Sequence, residues 1–141
     1  MLCEQIYESA LALLGESLKT NDNTDYEERA PYIIANFCSE AKEADKDWRN
    51  AQELGNQTDW DTLFISLDEI FPLSDCFASA AAFYLAAMLV TESNPDLYDK
   101  LYDHFCNAMS TIDSNIDSYN DSDDDKPIQK YILESIRNVY F

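Results

Sequence analysis

Asp68-Glu-Ile-Phe-Pro-Leu-Ser-Asp75, followed by Cys76-Phe-Ala-Ser-Ala-Ala-Ala-Phe-Tyr-Leu-Ala-Ala-Met-Leu-Val90, is the stretch on which the fold turns. No charge occurs from Cys76 to Val90, and Ala78, Ala80, Ala81, Ala82, Ala86 and Ala87 give it a thin cross-section. A helix that is apolar all round is a buried one. Alanine also lets neighbouring helices come close, because their separation follows the side chains at the contact. The stretch therefore predicts a central helix packed on several sides, entered through a corner at Pro72, with Ser74 or Asp75 as its N-cap. Phe77, Phe83, Tyr84, Leu85, Met88 and Leu89 supply its bulk.

Working outward, Asn94-Pro95 is an N-cap followed by proline at the first helical position. The connection from the central helix to the next is then a few residues long, which makes the two an antiparallel hairpin. The next helix carries Leu97, Leu101, Phe105, Ala108, Met109, Ile112 and Ile116 on one face and is expected to reach about Asp117. On the other side, Leu63, Ile65 and Leu67 alternate with Phe64, Ser66 and Asp68, which predicts a short extended segment. Gly55-Asn56 reads as a turn. A second helix opens at Thr24, which forms a T-x-x-E capping box with Glu27. Its buried face is Tyr26, Ala30, Ile33, Ile34, Phe37, Ala41 and Ala44. Pro31 lies too deep for a first-turn proline; it removes the bond to the Glu27 carbonyl and is expected to bend the helix near Arg29. The first helix runs from Cys3 to about Leu14 on Cys3, Ile6, Tyr7, Ala10, Leu11 and Leu14, and Gly15 stands where a left-handed residue ends it.

The fold class that follows is all-α: a four- to five-helix bundle with a central Ala-rich helix, a short extended segment before it and a C-terminal arm. Residues 1–117 form the helical domain, 118–126 an acidic linker and 127–141 an amphipathic arm. A chain of 141 residues is the size of one domain. With only Gly15 and Gly55, it has little material for tight turns or a phosphate-cradling loop.

The formal net charge is −19, and it is uneven. Only Lys19, Arg29, Lys42, Lys46, Arg49 and Lys100 offset the acids before Lys126, whereas the last sixteen residues hold Lys126, Lys130 and Arg137 against Glu134 alone. Backbone binding to nucleic acid needs clustered Lys and Arg, so the body of the protein should repel DNA, RNA and anionic membranes. The apolar run is too short to span a bilayer. The N-terminus lacks the basic segment of a secretory signal. Cys3, Cys38, Cys76 and Cys106 sit at apolar helical positions with no C-x-x-C pair, as small buried hydrophobes in a reducing compartment do.

Catalytic, cofactor and metal constellations are not what this sequence offers. His104 is the only histidine and borders the apolar face of its helix, a structural or solvent-edge position. No nucleophile elbow, P-loop or dinucleotide fingerprint is present. Asp113, Asn115, Asp117, Tyr119, Asp121 and Asp124 fall at the ligand positions of an EF-hand loop, but Ser118 replaces the required glycine and Asp124 the bidentate glutamate. An acidic linker matches such spacing by accident, and no calcium site is expected. The arm is the more informative feature. Ile128, Tyr131, Ile132, Ile136, Val139, Tyr140 and Phe141 make an apolar stripe on a segment too short to be stable alone. It packs either on the chain's own core or on a neighbouring subunit or partner, as a helix in a groove or a strand on an edge.

Three pieces together resemble a known family. They are Tyr7-Glu-Ser-Ala-Leu-Ala-Leu-Leu-Gly15, Tyr26-Glu-Glu-Arg-Ala-Pro31-Tyr-Ile-Ile, and Ile65-Ser-Leu-Asp-Glu-Ile-Phe-Pro-Leu-Ser-Asp75 with the Ala-rich Tyr84-Leu-Ala-Ala-Met-Leu-Val helix and Asn94-Pro95. In order and apolar pattern this resembles the small helical head–tail connector (adaptor) proteins of tailed phages and prophages of Gram-positive bacteria, over most of residues 5–110. The resemblance implies a virion structural protein without enzymatic activity. Such a subunit would assemble as a homo-oligomeric ring under the portal and contact portal and tail proteins. It would reside in the host cytoplasm during assembly and then at the head–tail junction. An acidic lumen would let packaged DNA pass without sticking. The alternative from another class is an acidic regulatory binding module, or a DNA mimic whose carboxylates occupy a nucleic-acid-binding partner. Acid content does not separate the two.

Overall fold

A computed structural model describes residues 1–15 and 24–120, and within them the chain is all-α. The helices are α1 (Cys3–Leu13), α2 (Thr24–Glu40), α3 (Lys42–Ala51), α4 (Ala78–Leu89) and α5 (Pro95–Asn120), with a 3-10 turn at Asp75–Phe77 leading into α4. The arm (127–141), residues 121–126 of the expected linker and Lys19 lie outside the described residues. Ser118, Tyr119 and Asn120, expected to begin the linker, are instead the last residues of α5.

α4 is the centre. Ala80, Ala81, Ala82, Ala86 and Ala87 are all buried, as are Tyr84, Leu85 and Leu89, and α1, α2 and α5 each pack against it. Three helices can approach one only if most of its side chains are small. Bulk is placed where an aromatic partner waits: Phe37 of α2 packs against Tyr84 with ring centroids 5.6 Å apart and edge-on to Phe105 of α5 at 6.1 Å. Phe71, from the loop before α4, stacks on the other side of Phe37 at 6.5 Å. Pairs of this kind add about 0.5–1.5 kcal/mol each beyond their burial.

The helix ends follow local chemistry. Gly15 has φ 75° after α1, the left-handed residue that its type suits. At α5, the Asn94 side chain accepts from the Leu97 amide at 3.2 Å, one residue before Pro95, so the expected cap is in place. The first amides of α1 are met from a distance: Cys3 and Glu4 donate to the Glu69 and Leu67 carbonyls, both at 2.9 Å. At the other end of α4, Arg29 donates from α2 to the Met88 carbonyl at 3.1 Å and the Leu89 carbonyl at 3.4 Å, closing groups that no helix can satisfy internally.

Two local expectations are corrected, a helix continuing to Ala44 and a turn at Gly55-Asn56. The helix that opens at Thr24 runs through Pro31 to Glu40 and breaks at Ala41, ten residues beyond the proline. Ala41 has ψ near 2°, so the chain turns there and α3 sets off afresh. That turn seats Asp45 of α3 against Ser74 below α4, a requirement of packing that the proline does not express. The turn after α3 falls at Gln52–Glu53 rather than at Gly55-Asn56. Glu53 takes φ 55°, while Leu54 and Glu53 donate back to Arg49 and Asn50. The alternation around Ile65 lies outside the helices, as expected of the extended segment, and pairs into no sheet. Among the described residues there is one isolated antiparallel bridge, Leu2 with Ile70, and of the three apolar positions only Ile65 is buried; Leu63 is 75% exposed. A lone segment finds no sheet to join, and Ile65 instead donates its amide to the Pro31 carbonyl at 3.2 Å.

Enlarging the thin side of α4 should be costly. Ala86→Leu is expected to lose about 1–3 kcal/mol in urea denaturation, as overpacked cores do. Ser79→Leu, exposed on the same helix, should stay within about 0.5 kcal/mol of the parent.

Candidate functional site

One buried polar centre organises the surface. Asp45 has no solvent exposure, yet it sits on the apolar side of α3 beside Ala41 and Ala44. Its carboxylate accepts three bonds of 2.8 Å, from the Ser74 amide, from Arg49 Nε and from Gln57 Nε2. Burial alone would raise its pKa; hydrogen bonds from Ser74, Gln57 and Arg49 outweigh that and hold it below the ordinary carboxylate value. A lowered folded value means that Asp45 stabilises the protein above the ordinary carboxylate range, and that this contribution fades as the pH falls through the lowered value. Chemically it is a tether. It fixes the entry to α4, the end of α3 and the loop through Gln57, whose side chain also reaches the Lys42 carbonyl at 2.8 Å. The sequence signal was an acid between Ala41, Ala44 and Trp48 with an arginine four residues on, a pattern that helical apolar periodicity alone passes over.

A second acid behaves in the opposite sense. Burial, then the negative charges of Glu43 on its own helix and Asp113 on α5, push the Asp47 carboxyl up to about 6. Asp113 is itself buried. The EF-hand-like run is helical from Asp113 to Asn120, and a continuous helix does not wrap side chains and carbonyls around one ion. Among the described residues no group of three acids, cysteines or histidines is placed to hold a metal ion.

The other residues that chemistry might have used are occupied structurally. Burial raises the Cys3 thiol to about 11 and Cys76 to about 12, so both stay as the neutral, unreactive form. Cys3, Cys38 and Cys106 are buried, and all four cysteines are free thiols. His104 stacks flat on Phe83 at 5.2 Å, at the solvent edge where its position in the sequence put it. Tyr84 bonds Asn36 through its hydroxyl, and burial, then the nearby Glu40, raise it to about 12.

What remains are surfaces. Near the start of the chain Met1, Leu2 and Ile70 lie exposed, Ile70 by 71%, and Met1 also lines a groove of about 670 Å3 between α1 and α4 with Ile6, Leu13, Ala82 and Phe83. Tyr32 is 59% exposed and meets Phe64 edge-on at 5.1 Å, with Leu63 beside Phe64 in the chain. A third concavity lies along α3 and is basic. The residues expected to bind partners (Ile128, Tyr131, Ile132, Ile136, Val139, Tyr140 and Phe141) fall outside the described residues. Of the exposed apolar residues, Leu63 and Phe64 belong to the expected extended segment, whereas Met1, Leu2, Tyr32 and Ile70 carry no periodic signal in the sequence. No helix among the described residues is long and apolar enough to cross a membrane. No family model, curated protein or solved structure matches the chain.

The raised carboxyl of Asp47 has a measurable consequence. Its protonated form is the favoured one in the fold, so its contribution is present below the unfolded value of about 4 and is lost as the pH rises through about 6. Asp47→Asn should therefore stabilise the protein by about 1 kcal/mol at about pH 8, after allowance for solvent screening, and give no gain at about pH 4. Urea denaturation at the two pH values checks both the size and the sign.

Proposed function

We propose that this protein is a structural assembly subunit, a head–tail connector of a tailed phage or prophage that joins a ring under the portal and links capsid to tail. The observation that carries the reading is the pair of exposed apolar surfaces, Met1–Leu2–Ile70 and Tyr32–Leu63–Phe64, on an otherwise strongly acidic chain. Apolar clusters left in water on a charged protein mark places where another protein sits. Two such surfaces suit head-to-tail contacts, in which each subunit uses one surface towards each neighbour. The resemblance of most of residues 5–110 to connector proteins supports reading that assembly as a head–tail connector. The acidic body supports it in a second way, since carboxylates facing a channel repel DNA phosphates and leave the passage free. Chemistry is not assigned to any residue.

Leu63→Asp and Ile70→Asp test this directly, because both side chains point mostly into solvent. Each variant should melt with the parent and lose roughly tenfold or more in co-sedimentation with the portal ring, as central interface positions do. Full association of both variants with the portal, or none by the parent chain, would remove the basis for the reading.

A further inference from the structure

On a chain of net charge −19, three of the five basic residues described line one hollow. Lys42, Lys46 and Arg49 recur at the three-four spacing along one side of α3, and the loop from Leu54 to Thr62 forms the opposite wall. The hollow holds about 340 Å3. It is built rather than incidental. Asp45 fixes Arg49 and Gln57 from beneath at 2.8 Å, Arg49 also donates to the Gly55 carbonyl at 3.1 Å, and Lys42 lies 5.6 Å above the Trp60 ring. Lys46 has only an exposed contact with Glu43 at 3.3 Å, which holds it weakly. Trp60 Nε1 and Gln57 Oε1, both shut off from solvent, have no hydrogen-bond partner among the described residues. The wall presents the lysine cations to a ligand rich in acceptors, with Asp59 the one acid among the described residues that line it.

We propose that this hollow is a docking site for the carboxylate-rich run Asp121-Ser-Asp-Asp-Asp125 of a second copy of the chain. Four acids in five residues are opposite in sign to Lys42 and Lys46 of the hollow. The run is also presented suitably for a neighbour. Tyr119, one residue from the end of α5, packs edge-on against Trp48 at 6.1 Å, so α5 ends beside α3. On the helix, Trp48 lies well over a quarter-turn away from the row of Lys42, Lys46 and Arg49. The end of α5 and the hollow therefore flank α3 on different sides, an arrangement that suits joining copies head to tail rather than as a closed pair. This inference deepens the assembly reading and rests on it.

Calorimetric titration of the full-length chain with a synthetic peptide of residues 118–125 tests it. Saturable binding is expected, weakened about tenfold or more in a chain carrying K42E and K46E and progressively by added salt. Arg49 is left intact because it holds Asp45. Lys42 and Lys46 are exposed, and circular dichroism checks the fold of the double variant; K46Q alone provides a milder step with a smaller loss. Equal binding to parent and K42E/K46E would overturn the site. Inorganic phosphate binding as tightly as the peptide would make it a small-anion site and overturn the occupant. Binding that appears only when Asp121, Asp123, Asp124 and Asp125 of the full chain are changed to Asn would put the run on its own chain and overturn the second copy. If the peptide does not bind while the parent still associates with the portal ring, this site fails and the assembly reading stands.

Discussion

A helix enclosed on several sides cannot carry large side chains everywhere, and α4 resolves that constraint with alanine. Its neighbours α1, α2 and α5 reach it because Ala80, Ala81, Ala82, Ala86 and Ala87 occupy so little room. Enclosure then creates a second demand. The ends of a buried helix have backbone groups that water cannot reach, and they must be met from elsewhere. Arg29 does this for the last carbonyls of α4, with Thr91 turning its hydroxyl back to Ala87 at 3.1 Å. At the entry, the Ser74 amide is met by Asp45. The polar features of the interior are thus consequences of packing a thin helix in the middle.

That hierarchy explains what could be read from residue order. α1, α4 and α5 have their own periodicity and their own punctuation in Gly15 and Asn94-Pro95, so their extents follow from local rules. The break at Ala41 does not, because nothing near Ala41 forbids a longer helix; the break lets Asp45 meet an amide 29 residues away in the chain. The helix continues through Pro31, whose lost bond is a local cost that burial of the proline can offset. Leu63 and Ile65 look equivalent in sequence, yet one is exposed and the other buried, since an alternating pattern specifies two faces only when a sheet exists to define them. The fold class was legible for these reasons; the polar hub and the exposed apolar clusters were not.

Charge is arranged with the same economy. Among the described residues the fold holds Asp45 and Asp113 buried and Asp47 half-buried, and two of them play opposed parts: Asp45 is made more acidic by its donors, whereas burial and neighbouring acids make Asp47 a weaker acid. Most other acids face water, where they keep copies apart until a specific contact outweighs repulsion. The apolar clusters around Ile70 and Leu63 and the basic hollow on α3 are the interruptions in that field. Contacts confined to such interruptions give an assembly that forms in one geometry and resists nonspecific association, which suits a part that must join a larger particle in order.

The proposed connector role is tested most directly on the particle it would belong to. Phage particles purified from a strain that produces the chain can be analysed by quantitative mass spectrometry against the portal protein. A connector should be present in a fixed, many-copy ratio to the portal and should remain with it when tails are detached. Absence of the chain from intact particles, with the protein plentiful in the producing cells, would contradict the structural role.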